Sequence, residues 1–332
     1  MRLLIVTDAW KPQVNGVVRT YEWLVRVLAK RVDVVMLTPE RFRRAPLPTY
    51  PEIELALASP GAVSDYIRSH SPDAVHIATE GPLGFFARRH CRRANIPFTT
   101  CYHTRFPEYL ARRFPFPARW TYAALRRFHG AAARTLVATS ELATELRSHG
   151  FTKVTPWRRG IDVAAFSDGP IEALDLPRPI FLYVGRLAIE KNIDGFLSLD
   201  LPGSKLVVGG GPDRERLQRS WPTAHFFGPV HGERLGAIYR AADVFVFPSL
   251  TDTYGLVMAE ALAAGLPVAC HPGSGARDIF AGETCGAMNN DLRTAALAAL
   301  HVSRDLCRAV GARHSLEASA DDFLKLVAEV VS

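Results

Sequence analysis

Cysteine is scarce and scattered: Cys91, Cys101, Cys270, Cys285 and Cys307 are odd in number and never spaced as CxxC in the 332 residues. That excludes a disulfide framework and a thiolate zinc site, and reduced thiols are the expectation. Long hydrophobic runs are also missing, since no apolar stretch approaches the roughly 18 to 20 residues of a membrane-spanning helix. The opening MRLLIVTDAW is too short for a secretory h-region with a cleavage site and reads as a first buried strand. There is no short repeat and no low-complexity tract. The first strand-to-helix turn lacks GxGxxG, which removes a nicotinamide-dependent dehydrogenase.

What is present is globular. With 48% hydrophobic and 22% charged residues, the chain can bury two cores, and its length fits two domains of about 150 residues each. The net charge of +7 is unevenly divided. Residues 1–165 hold 25 Lys and Arg against 13 Asp and Glu, a balance of +12, and the remainder carries −5. A basic half joined to an acidic half predicts that the first half meets an anionic partner or surface.

Short β-branched runs alternate with helical patterns. Leu3–Thr7, Val32–Leu37, Ala74–Ile77, Phe98–Tyr102 and Leu136–Thr139 read as buried parallel strands. Val17–Ala29 carries apolar residues at three-to-four spacing, as a helix packed on a sheet does. The pattern restarts after the turn-rich Ser167–Pro170 with strands at Ile180–Val184, Leu206–Val208, His225–Phe227, Val244–Phe247 and Pro267–Cys270. The expectation is an α/β protein of two doubly wound, Rossmann-like domains facing a cleft, residues 1–166 and 167–317. A final helix over 318–332 either stays with the second domain or crosses back to the first.

Four segments carry chemistry. Arg186 and Lys191 lie just past the strand Ile180–Val184, where ligands of open α/β sheets bind, and could neutralise a departing diphosphate. On their own they also fit a solvated loop. Gly209–Gly210–Gly211 follows the next strand and precedes a helix, so that a phosphate or ribose could approach the backbone, although a tight turn explains it as well. Asp252 and Glu260 lie eight positions apart. A helix over Thr253–Ala264 would be capped by Asp252, while Glu260, on an apolar face with Leu256 and Val257, would be costly to bury without a partner such as a ribose diol. Free N–H groups near Tyr254 and Gly255 could contact the sugar or diphosphate. In the first half, Gly16 lies between first strand and first helix, and His103 follows the strand Phe98–Tyr102. A lone histidine is usually structural, but at a strand end it is a candidate for substrate contact.

In this order and spacing the Gly16 loop, His103, GRLAIEK, GGGPDRE and the D-x7-E of TDTYGLVMAEALAAGLPV resemble the family-4 retaining glycosyltransferases of GT-B fold. More narrowly, YHTRFPEYL, FHGAAARTLVATSELATELRSHGF and WRRGIDVAAF resemble bacterial GDP-mannose-dependent α-mannosyltransferases and sulfoquinovosyl- and glycosyl-diacylglycerol synthases. The resemblance implies that Arg186 and Lys191 bind the donor diphosphate, Glu260 the ribose, and Asp252 with the backbone at Tyr254, Gly255 and Leu256 the transferred sugar. His103 would contact the sugar near the reacting centre, Gly16 would close over the diphosphate, and Gly210 and Val230 would belong to the donor site. The first carboxylate, commonly Glu in the family, is Asp252 here. No DxD motif occurs, so neither a metal nor another cofactor is called for.

Arginines interleaved with aromatics supply a candidate acceptor face: Arg112, Arg113, Phe114, Phe116, Arg119 and Trp120, flanked by Arg88, Arg89, Arg92, Arg93, Arg126 and Arg127. Such a segment suits anionic headgroups, with about 1 kcal/mol per cation. The expectation is a retaining hexosyltransferase acting from a nucleotide sugar onto a lipid such as diacylglycerol, cytoplasmic and peripheral to the inner face of the membrane. The alternatives are a soluble or polysaccharide acceptor and a non-catalytic nucleotide-sugar binder. Nucleic acid is not an expected partner, because no recognisable nucleic-acid module is present.

Overall fold

A computed structural model describes residues 1–13, 15–47, 50–103, 107, 117–250, 252, 254–273 and 275–331. Two compact units divide it: Met1–Arg158 with Glu317–Ser332, and Arg159–Leu316. The division falls before residue 166, where linker composition places it, because the short helix Val163–Ser167 buries Phe166 against Tyr239 of the second unit, ring centroids 5.6 Å apart. The C-terminal helix Leu316–Val331 has its residues from Glu317 onward in the first unit. There Phe323 is fully buried and packs on Trp157, a burial that contributes about 2–3 kcal/mol.

The first unit is built on a parallel sheet of β1 (Arg2–Val6), β2 (Asp33–Leu37), β5 (Ala74–Ile77), β6 (Phe98–Tyr102), β7 (Arg134–Val137) and β8 (Val154–Pro156), in the order β2-β1-β5-β6-β7-β8. A hairpin of β3 (Arg44–Leu47) and β4 (Tyr50–Ala56) is inserted between β2 and β5. β1, β5 and β6 are wholly buried apart from Arg2, which is why they read as continuous apolar runs. β7 ends before Thr139, whose hydroxyl instead accepts the Leu142 N–H at 3.1 Å and caps the next helix. The helix Gly16–Leu28 starts behind Asn15, whose side chain accepts from the N–H groups of Val17 and Val18 at 3.0 Å.

The second unit is a parallel sheet of β9 (Ile180–Val184), β10 (Ser204–Val208), β11 (His225–Gly228), β12 (Val244–Phe247), β13 (Val268–Cys270) and β14 (Gly286–Met288). Its order, β11-β10-β9-β12-β13-β14, reverses between β9 and β12. A doubly wound sheet opens a crevice beyond the strand ends at such a reversal. The loops leaving β9 and β12 carry Arg186, Lys191 and Asp252.

Candidate functional site

The loop after β9 begins at Gly185 and runs through Arg186 to a short 3-10 turn, Ile189–Lys191. The Tyr183 hydroxyl, buried below, donates to the Arg186 carbonyl at 3.0 Å and fixes the turn. Burial raises the Tyr183 pKa well above its ordinary value, and the nearby carboxylates of Asp252 and Glu190 raise it further. Asn192 sits in the left-handed region at φ 52° and ties the loop to β12 by donating to the Pro248 carbonyl at 3.1 Å. Arg186 is exposed, as a cation awaiting an anionic ligand is.

Lys191 and Asp252 meet where these loops converge, Nζ to Oδ1 at 2.5 Å, with side chains 25% and 21% exposed. The other oxygen, Asp252 Oδ2, is buried and has no hydrogen-bond partner among the described residues; the same holds for the hydroxyl of Ser249 on this loop. Asp252 does not cap the following helix. That helix starts at Leu256 rather than Thr253, behind Gly255 at φ 80°. A Cβ on Gly255 would come within 2.8 Å of Met258 Cε and 2.9 Å of Phe247 Cζ, so position and backbone both require glycine. Thr253 lies outside the described residues.

Glu260 is fully buried, and the Tyr239 hydroxyl donates to its Oε2 at 3.1 Å. One hydroxyl serves a carboxylate with about four acceptor positions. Tyr254 is buried beside the same helix start and donates to the Arg159 carbonyl at 3.3 Å, with His314 Nδ1 at 3.1 Å.

The glycine run has a structural duty. A Cβ on Gly209 would stand 1.9 Å from the Gly185 carbonyl oxygen, and one on Gly211 would stand 2.3 Å from that of Leu187. These residues let the β10 loop lie against the β9 loop, with Leu187 N–H donating to the Gly210 carbonyl at 2.9 Å. Gly210 itself would carry a Cβ 3.0 Å from Pro229, beside Val230.

In the first unit the sheet reverses between β1 and β5. Asp8, just past β1, spans that point. Its carboxylate accepts from Leu83 N–H at 2.8 Å, Gly84 N–H at 3.2 Å and the Thr79 hydroxyl at 3.0 Å. Burial nevertheless pushes its pKa up to about 6, against the lowering effect of these bonds. Sequence reasoning missed Asp8, although a carboxylate directly after a central strand was a usable signal. Gly16 is exposed, and a Cβ there would meet nothing within 4 Å. His103 is half-buried after β6, with Nε2 3.1 Å from the Tyr21 hydroxyl.

Of the acceptor segment, Arg112, Arg113, Phe114 and Phe116 lie outside the described residues. Arg119 and Trp120 open the helix Ala118–His129, with Trp120 58% exposed. The helix Pro82–Arg93 lies alongside. Arg88 donates to the carbonyls of Phe128 at 2.8 Å and Arg127 at 2.6 Å, and the exposed Phe85 ring packs 5.1 Å from Phe128. Arg89, Arg92, Arg93, Arg126 and Arg127 are exposed on these two helices.

The profile of Glycosyltransferase Family 4 matches residues 14–165, and that of Glycosyl transferases group 1 matches residues 168–299. The chain is similar to a GDP-mannose-dependent alpha-mannosyltransferase of Mycobacterium tuberculosis, 33% identical over 307 residues, covering 84% of this chain and 81% of the relative. It is also similar to an alpha-monoglucosyldiacylglycerol synthase of Streptococcus pneumoniae, 25% identical over 376 residues, covering 99% and 85%. Among solved structures, sucrose-phosphate synthase of Thermosynechococcus elongatus superimposes with a TM-score of 0.77 at 19% identity, covering 99% and 98%. At that identity the likeness is one of fold.

Proposed function

The chain belongs to glycosyltransferase family 4 and uses a nucleotide sugar, and from that premise we propose that it is a retaining, metal-independent hexosyltransferase forming an α-linkage to a membrane lipid such as diacylglycerol. The observation that carries the reading is the Lys191–Asp252 pair at the β9/β12 reversal, with Arg186 on the same loop. Two cations at that point can take the negative charge that grows on the leaving diphosphate, the role a bridging metal fills elsewhere. Asp252, with the backbone at Tyr254, Gly255 and Leu256, is assigned to the hydroxyls of the transferred sugar. Glu260 is assigned to the ribose diol and His103 to a polar contact with the reacting sugar. The acceptor hydroxyl attacks from the face the diphosphate leaves, through an oxocarbenium-like transition state, so configuration is kept.

The donor is a GDP- or UDP-hexose, and the mycobacterial relative makes GDP-mannose the first to try. The lipid acceptor is supported by the exposed Phe85 and Trp120 among arginines, by the basic first half, and by the diacylglycerol in the name of the pneumococcal relative. Peripheral attachment at the inner face of the membrane follows from the same features. The test is transfer from labelled GDP-mannose and UDP-hexoses, in the presence of a chelator, to vesicles containing diacylglycerol and anionic lipid. An α-linked glycolipid made without added metal supports the proposal. Transfer only to soluble saccharides, or a requirement for a divalent cation, contradicts it.

A further inference from the structure

Inside the first unit a chain of side-chain hydrogen bonds runs from β6 through the core to His103. The Thr99 hydroxyl lies 2.8 Å from His76 Nδ1, His76 Nε2 lies 2.7 Å from the Tyr21 hydroxyl, and that hydroxyl lies 3.1 Å from His103 Nε2. Tyr21 and His76 are wholly buried and Thr99 is 1% exposed. Aromatic rings close the chain off from water. Phe323 of the C-terminal helix packs edge-on to His76 at 4.9 Å, and Trp157 stands beside Tyr21 at 6.3 Å while its indole N–H donates to the Ser319 carbonyl at 2.9 Å.

The protons in this chain can be counted. Tyr21 has one hydroxyl hydrogen and two ring nitrogens against it, so it donates to one histidine and accepts from the other. The two rings are therefore forced into opposite tautomers. Thr99 sets which is which. Its hydroxyl has no second partner among the described residues, so if it accepted from His76 its own hydrogen would be buried without an acceptor, at the full desolvation cost. Thr99 therefore donates to His76 Nδ1, His76 Nε2–H donates to Tyr21, and Tyr21 donates to His103 Nε2. Each donor is used once.

We infer that Thr99, His76 and Tyr21 are positioning residues that preset His103 in its Nδ1–H tautomer, so that it meets the substrate as a hydrogen-bond donor and not as a base. A free imidazole prefers the opposite, Nε2–H form, so the buried chain must impose this state. A donor at this position fits the assigned role, since a hydroxyl or ring oxygen of the sugar offers lone pairs. The inference rests on the reading of His103 as a substrate contact.

The test combines a tautomer measurement with kinetics. Long-range proton–nitrogen correlation spectra of protein labelled with nitrogen-15 in its histidines, assigned with His103→Ala and His76→Gln, report each ring's tautomer directly. The wild type should show His103 as Nδ1–H and His76 as Nε2–H. In Tyr21→Phe the His103 signature should move towards Nε2–H, with kcat falling about 10- to 100-fold and the donor KM unchanged. Thr99→Val, which keeps the side-chain shape, should release the direction of the chain without unfolding the unit. His103 as Nε2–H in the wild type overturns the inference, as does full turnover in Tyr21→Phe when His103→Ala is inactive. Full turnover in His103→Ala would instead refute the substrate contact itself, and the positioning role with it.

Discussion

Breaking the Lys191–Asp252 pair from each side separates its structural worth from its chemical one. Lys191→Met removes the cation and leaves a carboxylate only 21% exposed, already with one buried oxygen lacking a partner among the described residues. Exposed pairs contribute about 0–1 kcal/mol and breaking a fully buried one costs about 3–5, so a side chain exposed to this degree should cost about 2 kcal/mol. Asp252→Asn leaves a lysine whose stem can bend its charge into water, at about 0.5–1 kcal/mol. In the double variant neither charge remains, and the loss should fall about 1 kcal/mol short of the sum. Turnover should behave differently. Lys191→Met should lose about 10²–10³ in kcat, and adding Asp252→Asn should restore stability but no activity. Urea unfolding followed by circular dichroism gives the first cycle and donor turnover the second. Stability losses that add within about 0.3–0.5 kcal/mol would refute a coupled pair.

Gly16→Ala, where a Cβ meets only open space, should leave the melting temperature unchanged or slightly raised, yet weaken donor binding in titration calorimetry; unchanged affinity would remove Gly16 from the donor site. Gly255→Ala should cost about 1–3 kcal/mol in chemical unfolding, because φ 80° and the Phe247 and Met258 contacts leave no room. Asp8, with its pKa raised from 3.8 to about 6, binds its proton more tightly folded than unfolded. Its contribution is thus fully present below about pH 4 and is lost as pH rises through 6, by about 3 kcal/mol. Melts of Asp8→Asn and wild type between pH 4 and 7 should converge with rising pH; parallel curves would contradict this. Trp120→Ala with Phe85→Ala should weaken sedimentation with anionic vesicles, and wild-type binding should fall in high salt.

Much of this was written in the sequence, because buried parallel strands are apolar on both faces and announce themselves as runs such as Phe181–Val184. Strand ends then follow, and with them Arg186, Lys191, Asp252 and His103. The pairing of Lys191 with Asp252 was not legible, since they are 61 positions apart and meet only through the strand order. The glycine run misled in part, as Gly209 and Gly211 serve a backbone approach of two loops that composition cannot show. Asp252 read as a helix cap because Thr253 onward is helical in pattern, whereas Gly255 at positive φ delays the start. His76 in the run AVHI looked like one polar residue in a strand. Its bond to Tyr21 is visible only once the helix Gly16–Leu28 is laid on the sheet.

The central claim is that the second unit holds a nucleotide-diphosphate hexose by Lys191 and Glu260 for transfer to a lipid. The most direct measurement is transfer from a panel of UDP- and GDP-hexoses, with and without diacylglycerol vesicles, by the wild type, Lys191→Ala and Glu260→Ala. The account predicts vesicle-dependent glycolipid formation from one donor class, lost in both variants. Donor binding without turnover on any acceptor, or full transfer by either variant, would contradict it.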